Sequence, residues 1–534
     1  MWISASLLGL QRSIVVILCT LAYGASAYAQ SPFPIVGYQV QGNTLLSPES
    51  INAATRPHTS PQGSFETIQL ALESLEKAYV GAGYGSVRVE IPEQELESGV
   101  VTLQVIEGVL GQVTVEPDPY FNADNVRHSL PALRPGETVN VFELNRNLFL
   151  ANEGGSKVSN VTFKHSANNR DVDATVKLSA EDPQRWMALL DNTGSAATGL
   201  YRLGVVYQNS NLFNRDHGLS VQLMTSPDHT RDVSIVGLGY RVPLYRLGDT
   251  LDFNASSSNV DSGQVAQAGG GPDLAISGSG LMLGARYTHN LDATATAQHA
   301  FSIGLEHRAY GNRVMPTGGS ASLIPDLTTH PLTLGYSGSW HSPTRDFSVN
   351  LSWLQNLAGG ENGTTADFNQ PGGRSGANAS FQAFKFTLQH TERLASQWML
   401  RTALSGQSTQ DLLIAAEQFG IGGADSVRGF GEREISGDQG VRAGLEVWAP
   451  PVSWKPWRLI PLVFLDGASV WRNQAAIGEQ SGQTISSVGL GLRAAYGHHL
   501  NARLDWGYVI KGVSGIAGPV NGDQHLHASL AWVF

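Results

Sequence analysis

"YRLGVVYQ", residues 201–208, alternates large apolar side chains with polar or small ones. Because successive side chains of a β-strand point to opposite faces, such a strand has one apolar face and one polar face. The apolar face would carry Tyr201, Leu203, Val205 and Tyr207. Residues 384–389 and 504–510 alternate in the same way. Soluble β-sandwiches and membrane strands of about 9–11 residues both alternate, so the connections between strands must decide between them.

The connections between the alternating segments fall into two length classes. Sixteen segments can be placed, at 185–194, 199–210, 217–227, 231–241, 249–260, 276–288, 297–311, 330–341, 345–356, 379–391, 396–408, 440–449, 459–471, 485–496, 499–511 and 524–534. Connections after odd-numbered segments include 312–329 and 409–439, whereas those after even-numbered segments include 342–344 and 497–498. Long loops at one rim and short turns at the other are typical of outer-membrane barrels. We therefore predict a membrane all-β barrel of 16 antiparallel strands over residues 185–534.

The last segment, "HLHASLAWVF" (525–534), agrees with a barrel. Its apolar face ends in Trp532 and Phe534. A barrel pairs its last strand with its first and leaves no unsatisfied strand edge in lipid, whereas in a soluble protein this would be an exposed apolar edge. We therefore expect outer-membrane lipid to surround this strand.

Residues 33–180 show helical spacing, which is almost absent later in the chain. Helical repeats place Ile68, Leu72, Leu75 and Tyr79 on one face. The run Ser47-Pro48-Glu49 favours a helix start, with a capping hydroxyl, a proline and an acid. With the alternating segments on either side, the order is β-α-α-β-β, and it recurs from Gly111. We predict two small α+β domains, at residues 33–108 and 109–181.

The first residues resemble a secretory signal peptide. Arg12 precedes an apolar run, and Ala27-Tyr28-Ala29 supplies a cleavage site with small residues. Residues 1–29 are therefore predicted to be removed. The only cysteine, Cys19, lies inside this segment, so the mature chain would have neither disulfides nor thiolate metal ligands.

Composition and motifs exclude several classes of function. The formal net charge is −11, which argues against a surface that binds nucleic acid. The sequence has no GxxxxGK[ST] phosphate loop and no HExxH metal motif. The run Gly489-Leu490-Gly491 resembles part of a dinucleotide fingerprint, but it lies in an alternating strand with no helix after it. We predict no catalytic residues, no cofactor site and no metal site, and therefore no enzyme.

The loop at 409–439 is the longest connection, and a loop of this length without structure of its own usually has a function. It contains "GGADSVRGFGERE", residues 422–434, in which Arg428 stands between Val427 and Gly429-Phe430.

Four stretches resemble a known family. They are "VQGNTLLSPE" (40–49), "IPEQELESGVVTLQVIEG" (91–108), "LLDNTGSAATGLYRLGVVYQNSNLFNRD" (189–216) and "FGIGGADSVRGF" (419–430). They are similar to the two-partner secretion (TpsB) transporters of Gram-negative bacteria, the ShlB/FhaC/HecB haemolysin secretion and activation family. This family belongs to the superfamily of the assembly factor BamA. The resemblance implies that the two α+β domains are periplasmic POTRA domains and that the barrel lies in the outer membrane.

The resemblance also implies a site. The loop motif of Val427, Arg428, Gly429 and Phe430 would fold into the barrel, where Arg428 would pair with Asp466 in the wall motif that begins at Phe464. Ala468 stands where the family has a glycine, so a close backbone approach there is in question. Trp532 and Phe534 would form the C-terminal signal read by the barrel assembly machinery. The alternative is that Arg428 is a solvated loop residue and Asp466 an isolated acid of the lumen.

The function implied by the resemblance is export without chemical turnover. The POTRA domains would recognise an unfolded exoprotein, a TpsA-like partner of haemolysin or adhesin type, and the barrel of a monomeric transporter would pass it to the cell surface. One alternative is a factor that inserts other barrels, but the two α+β domains and the pattern at 91–108 favour an exporter. A passive porin is a third reading, and it would not need residues 33–180.

Overall fold

The computed structural model describes residues 32–166, 171–195, 198–230, 233–259, 263–265, 274–276, 280–294, 296–311, 325–475, 480–515 and 518–534. The predicted signal peptide, residues 1–29, lies outside these ranges. The chain divides into two compact units, one within Met1–Ala82 and Val87–Glu107, the other comprising Gly83–Ser86 and Gly108–Phe534.

The first unit is a small α+β domain. Its three-stranded sheet has the order Gly37–Gln41, Val100–Glu107, Val87–Glu90, in which the first two strands are parallel and the last two antiparallel. Its helices are Pro48–Thr55 and Phe65–Gly81. A second, two-stranded sheet of Phe33–Ile35 and Ser60–Gly63 was not predicted.

Local capping explains where the two helices of this domain begin. The Ser47 hydroxyl accepts the Ser50 N–H at 3.3 Å, as the predicted helix start requires. Before the second helix, Ser64 and Thr67 form a capping box in which each side chain accepts the backbone N–H of the other residue. The helix then buries one face, with Ile68, Ala71, Leu75 and Tyr79 at most 1% exposed.

The second unit begins with another α+β domain in the predicted order. Its strands and helices are Leu110–Val115, Ala123–Ser129, Val141–Glu153, Lys157–His165 and Val172–Ala180. Strand Val172–Ala180 lies in the middle of its sheet, parallel to Leu110–Val115 and antiparallel to Lys157–His165. Among the described residues, no helix is both long and apolar enough to span a membrane.

The remainder forms a closed antiparallel barrel of sixteen strands, as predicted. They are Gln184–Asp191, Arg202–Leu212, His217–Thr225, Ser234–Leu244, Asp249–Ser258, Gly280–Asn290, Ala297–Tyr310, Pro331–His341, Arg345–Asn356, Gln382–Arg393, Met399–Ser408, Gln439–Trp448, Trp457–Trp471, Gly482–Tyr496, Leu500–Lys511 and Gln524–Val533. Short strands Leu327–Thr329 and Val452–Trp454 extend the eighth and twelfth. The sixteenth strand pairs with the first from Ser529↔Asp191 to Val533↔Met187, which closes the barrel.

The two faces of the barrel follow the sequence alternation. Leu203 and Val205 are 44% and 45% exposed on the outside, whereas Val206 is fully buried. Leu504 and Trp506 point outward in the same way, and Asp505 between them is fully buried inside. The outer face is thus apolar, and the inner face carries the charged side chains that build the site.

The second α+β domain is bound to the rim of short turns. Lys157 Nζ lies 2.8 Å from Asp216 Oδ1 in the turn after the second strand, and 2.7 Å from Asn125 Oδ1. The Tyr245 hydroxyl donates to Asp216 Oδ2 at 2.6 Å from the turn after the fourth strand. The side chain of Lys157 is only 3% exposed, and burial lowers its pKa below the ordinary value although Asp216 opposes that shift. This buried pair fixes the domain at the mouth of the barrel.

Candidate functional site

The connection between the eleventh and twelfth strands, residues 409–438, folds back against the inner face of the barrel. Within it, strands Phe419–Ile421 and Ile435–Gly437 pair as a short antiparallel ladder. The glycine-rich stretch between these strands forms the tip, in which Val427 and Phe430 are fully buried. The loop therefore has structure of its own and lies inside the lumen.

Arg428 and Asp466 are in direct contact. Arg428 Nε lies 2.7 Å from Asp466 Oδ2, and Nη2 lies 2.9 Å from Oδ1, so the contact is bidentate. The backbone N–H of Arg428 also donates to Oδ2, at 3.2 Å. The two residues are 4% and 2% exposed. Removing one partner of such a buried pair typically costs about 3–5 kcal/mol, because the other charge stays buried without compensation.

The Phe464 ring packs against the guanidinium of this ion pair. The guanidinium carbon of Arg428 lies 3.5 Å from the centre of the Phe464 ring, within the range of a cation–π contact. Gly489, which is paired with Phe464 across the sheet, provides the space, because a Cβ at this position would lie 2.3 Å from the ring. The glycines of the apparent dinucleotide fingerprint thus belong to the packing of the inner wall.

Two further acids, which the sequence analysis missed, complete the surroundings of Arg428. Glu446 Oε1 on the twelfth strand lies 2.7 Å from Nη1, and Asp505 Oδ1 on the fifteenth lies 3.6 Å from the same atom. The Asp505 carboxylate also forms ion pairs with Arg493, at 2.8 Å, and with Arg503, at 2.6 Å. Both acids occupy inward-facing positions of alternating strands, but that pattern does not show which inward-facing residues meet the loop.

The backbone at the tip lies directly against the wall. Gly429 has φ +98°, a conformation that favours glycine. A Cβ at Gly507 on the fifteenth strand would lie 2.7 Å from Gly429 N and 2.9 Å from Arg428 C. Glycine at position 507 therefore lets the tip reach Asp466.

Apolar side chains of the loop pack beside the ion pair. Val427 and Phe430 belong to one buried cluster with Ile421, Ile435, Ala468, Val470, Ile485, Val509 and Val513. The Ala468 methyl group is part of this cluster and only 5% exposed, so alanine fits at this position.

Both ends of the loop are bound as well. Glu417 Oε2 lies 2.8 Å from Arg308 Nη1, and its Oε1 accepts the Tyr310 hydroxyl at 2.9 Å. At the other end, the Asp438 carboxylate accepts two hydrogen bonds from Arg374, at 2.7 and 2.6 Å. Three separate ion-pair clusters therefore hold the loop in the lumen.

The structure places the two C-terminal residues away from this site. Trp532 is 39% exposed on the sixteenth strand, and Phe534 is 72% exposed just after it. The Phe534 N–H donates to the Trp186 carbonyl of the first strand at 2.9 Å. Within the described residues, no group of three or more His, Cys, Asp or Glu side chains is placed to hold a metal ion.

A closed sixteen-stranded barrel preceded by α+β domains, with a buried loop in its lumen, defines an outer-membrane barrel protein. The family model described as haemolysin secretion/activation protein ShlB/FhaC/HecB matches residues 171–494, and the model for the ShlB-type POTRA domain matches residues 33–108. The chain belongs to the ShlB/FhaC/HecB family.

Relatives of similar sequence are transporters. The outer membrane transporter CdiB of Escherichia coli is 25% identical over 89% of this chain and 78% of its own length. The heme/hemopexin transporter protein HuxB of Haemophilus influenzae (strain 86-028NP) is 20% identical over 88% of this chain and 82% of its own length. The predicted family, transport function and outer-membrane location, with the POTRA region in the periplasm, are confirmed.

Solved structures show the same fold. CdiB from Escherichia coli superposes with a TM-score of 0.70 at 18% identity, covering 96% of this chain and 93% of that one. BamA from Haemophilus ducreyi lacking POTRA domains 1–3 superposes with a TM-score of 0.50 at 16% identity, covering 94% and 99%. The likeness to both concerns the architecture alone.

Proposed function

We propose that this transporter secretes a single TpsA-like exoprotein of haemolysin or adhesin type, without chemical turnover and as a monomer. Residues 33–108 and 109–181 act as two periplasmic POTRA domains, and residues 185–534 as the export barrel. The cargo arrives unfolded, as an extended chain that can add to a strand edge of a POTRA domain. Membership of the two-partner secretion family supports this proposal.

The POTRA domains bind the exoprotein by β-augmentation. Strand Lys157–His165 pairs only with Val172–Ala180 among the described strands. Its other edge faces no further described strand, and the Asn152 side chain bonds the Ser159 backbone there. An extended cargo segment would gain main-chain hydrogen bonds there with little dependence on its sequence. The exposed side chains of Val158 (50%) and Phe163 (41%) add apolar contact to this strand.

The loop motif Val427, Arg428, Gly429 and Phe430 is the closing element. The observation that carries this assignment is the bidentate contact between Arg428 and Asp466 in the lumen. An exported chain needs the space that the tip occupies, so the tip must leave the wall while cargo passes. Folding of the exoprotein outside the cell could give the process its direction.

Secretion of a partner protein into the medium tests the proposal. The partner to test is a very large, repeat-rich exoprotein, and the gene beside that of the transporter is the place to look for it. Co-expression should release it into the medium only when the transporter is present, and an unrelated exoprotein should stay in the cells. If the levels of other outer-membrane barrels fell on removal of this chain while the partner was still secreted, an assembly factor would be the better assignment.

A further inference from the structure

His527 lies on the sixteenth strand and faces the lumen. It is paired with Asp505 across the sheet and is 3% exposed, whereas the adjacent Leu526 is 48% exposed on the outside. No sequence motif singled it out. A contact between His527 and the loop would therefore connect the loop to the strand that closes the barrel.

The ring nitrogen Nε2 of His527 accepts the backbone N–H of Gly429 at 3.1 Å. The other side of that N–H is closed by the backbone of Gly507, where a Cβ would lie only 2.7 Å away. A buried N–H without an acceptor is unfavourable, so the tip depends on this ring for its backbone hydrogen bond.

The contact requires a neutral imidazole, because Nε2 must keep its lone pair in order to accept. The charged groups that face the ring are Arg428 of the loop and Arg503 and Asp505 of the fifteenth strand. His525 of the same strand lies 4.5 Å away between ring centres. An imidazolium would meet the Gly429 N–H and two guanidinium groups, so the neutral ring is the form that fits the site.

We propose that His527 is a positioning residue for transport: it holds the loop tip through Gly429 and thereby keeps Arg428 on Asp466. It ties the closing element to the strand that completes the barrel. The inference rests on the proposed closing role of the loop. The test of this inference measures the position of the tip and needs no exoprotein. The inference can therefore fail even if the proposed function in secretion is correct.

A single cysteine can report the position of the tip. The only native cysteine, Cys19, lies in the predicted signal peptide. Ser487 is fully buried beneath the tip, 3.5 Å from where a Gly429 Cβ would stand. Its hydroxyl has no hydrogen-bond partner among the described residues, so Ser487→Cys removes no interaction there. The thiol should react with a soluble maleimide only when the tip moves away.

Three substitutions of His527 separate the acceptor from a general packing role. Glutamine carries its amide oxygen at about the reach of Nε2, whereas asparagine is shorter and reaches only about the position of Nδ1. Phenylalanine keeps the ring volume and lacks an acceptor. Each variant is made in the full chain with Ser487→Cys and measured in isolated outer membranes. Heat-modifiable migration in gels confirms that the barrel is closed.

The proposal predicts that His527→Phe and His527→Asn speed maleimide labelling about tenfold, which corresponds to about 1.4 kcal/mol in the opening equilibrium. His527→Gln should stay within about twofold of the parent. Equal labelling of all three variants, whether as slow as the parent or uniformly fast, would overturn the role of the Nε2 acceptor. If His527→Phe gave no closed barrel, the difference in labelling rate between His527→Gln and His527→Asn would still test the role of the Nε2 acceptor.

Discussion

The guanidinium of Arg428 and the carboxylate of Asp466 meet in two parallel hydrogen bonds of 2.9 and 2.7 Å on the inner wall of the barrel. The partners are 38 residues apart in the chain, one on a loop and the other on the thirteenth strand. Because both are almost fully buried, the contact depends on the loop lying in the lumen. It gives the loop one defined closed position from which it can be released.

Replacing Arg428 should impair secretion without preventing barrel insertion. Arg428→Ala leaves Asp466 buried without its cation, which disfavours the closed loop by about 3–5 kcal/mol. Because the tip then lacks the defined closed position from which export releases it, we expect at least a tenfold loss of partner in the medium at normal transporter levels in the outer membrane. Arg433→Ala is the control. It removes an arginine of the same loop whose guanidinium donates to a carbonyl of the loop itself, that of Gln418, at 3.2 Å. Normal secretion by a normally inserted Arg428→Ala variant would contradict the proposed role.

Asp466 should act through Arg428 and not independently of it. Asp466→Ala is expected to lower secretion to a similar extent, and the double variant should be no worse than either single one, since the same contact is lost in all three. A double-mutant cycle on the labelling of Ser487→Cys gives the coupling free energy directly. Additive effects of the two substitutions would argue against a functional pair.

Two glycines of the wall provide a matched pair of steric tests. Gly507→Ala places a methyl group 2.7 Å from Gly429 N and should push the tip off the wall, with faster labelling of Ser487→Cys. Gly304→Ala is the control, because Gly304 also faces the lumen and its methyl group would meet its nearest neighbours at 3.6 Å. Labelling at the parental rate in Gly507→Ala would show that the tip does not lie on this strand.

The second α+β domain should loosen from the barrel when Lys157 is neutralised. Lys157→Met leaves Asp216 buried without its cation, at a cost of about 3–5 kcal/mol. We expect faster proteolytic cleavage at residues 181–183, which connect the last strand of this domain to the first barrel strand. The matched control is Lys177→Met in the same sheet, since Lys177 is 70% exposed and its ammonium lies 3.7 Å from Glu116. Equal cleavage rates for the two variants would contradict the role of the Lys157–Asp216 pair in holding this domain against the barrel.

The sequence predicts the barrel well because each strand repeats one physical pattern. Alternation identified all sixteen strands, and the turn at 342–344 has the predicted bounds. The ends of several strands differ by a few residues, since the polar residues near the rim fit a strand or a loop equally well. Strand Ser60–Gly63 was missed because a proline and a glycine in four residues are typical of a turn.

The site was only partly predictable, for a different physical reason. The family resemblance pointed to Arg428 and Asp466, which the structure brings together. Glu446, Asp505 and His527 were missed, although all three lie at inward-facing positions. Alternation shows which side chains enter the lumen, whereas the path of the loop determines which of them it meets. That path depends on glycine at 507 and on ion pairs at Glu417 and Asp438, which have no local signature.

Maleimide labelling of Ser487→Cys during export tests the central claim most directly. Cells that co-express the partner exoprotein are compared with cells that lack it, at equal transporter levels and with secretion measured in parallel. If the tip leaves the wall to let cargo pass, the thiol should be labelled several-fold faster during export. Unchanged labelling in cells that secrete the partner normally would show that cargo crosses the outer membrane with the loop still in place, and would contradict the account.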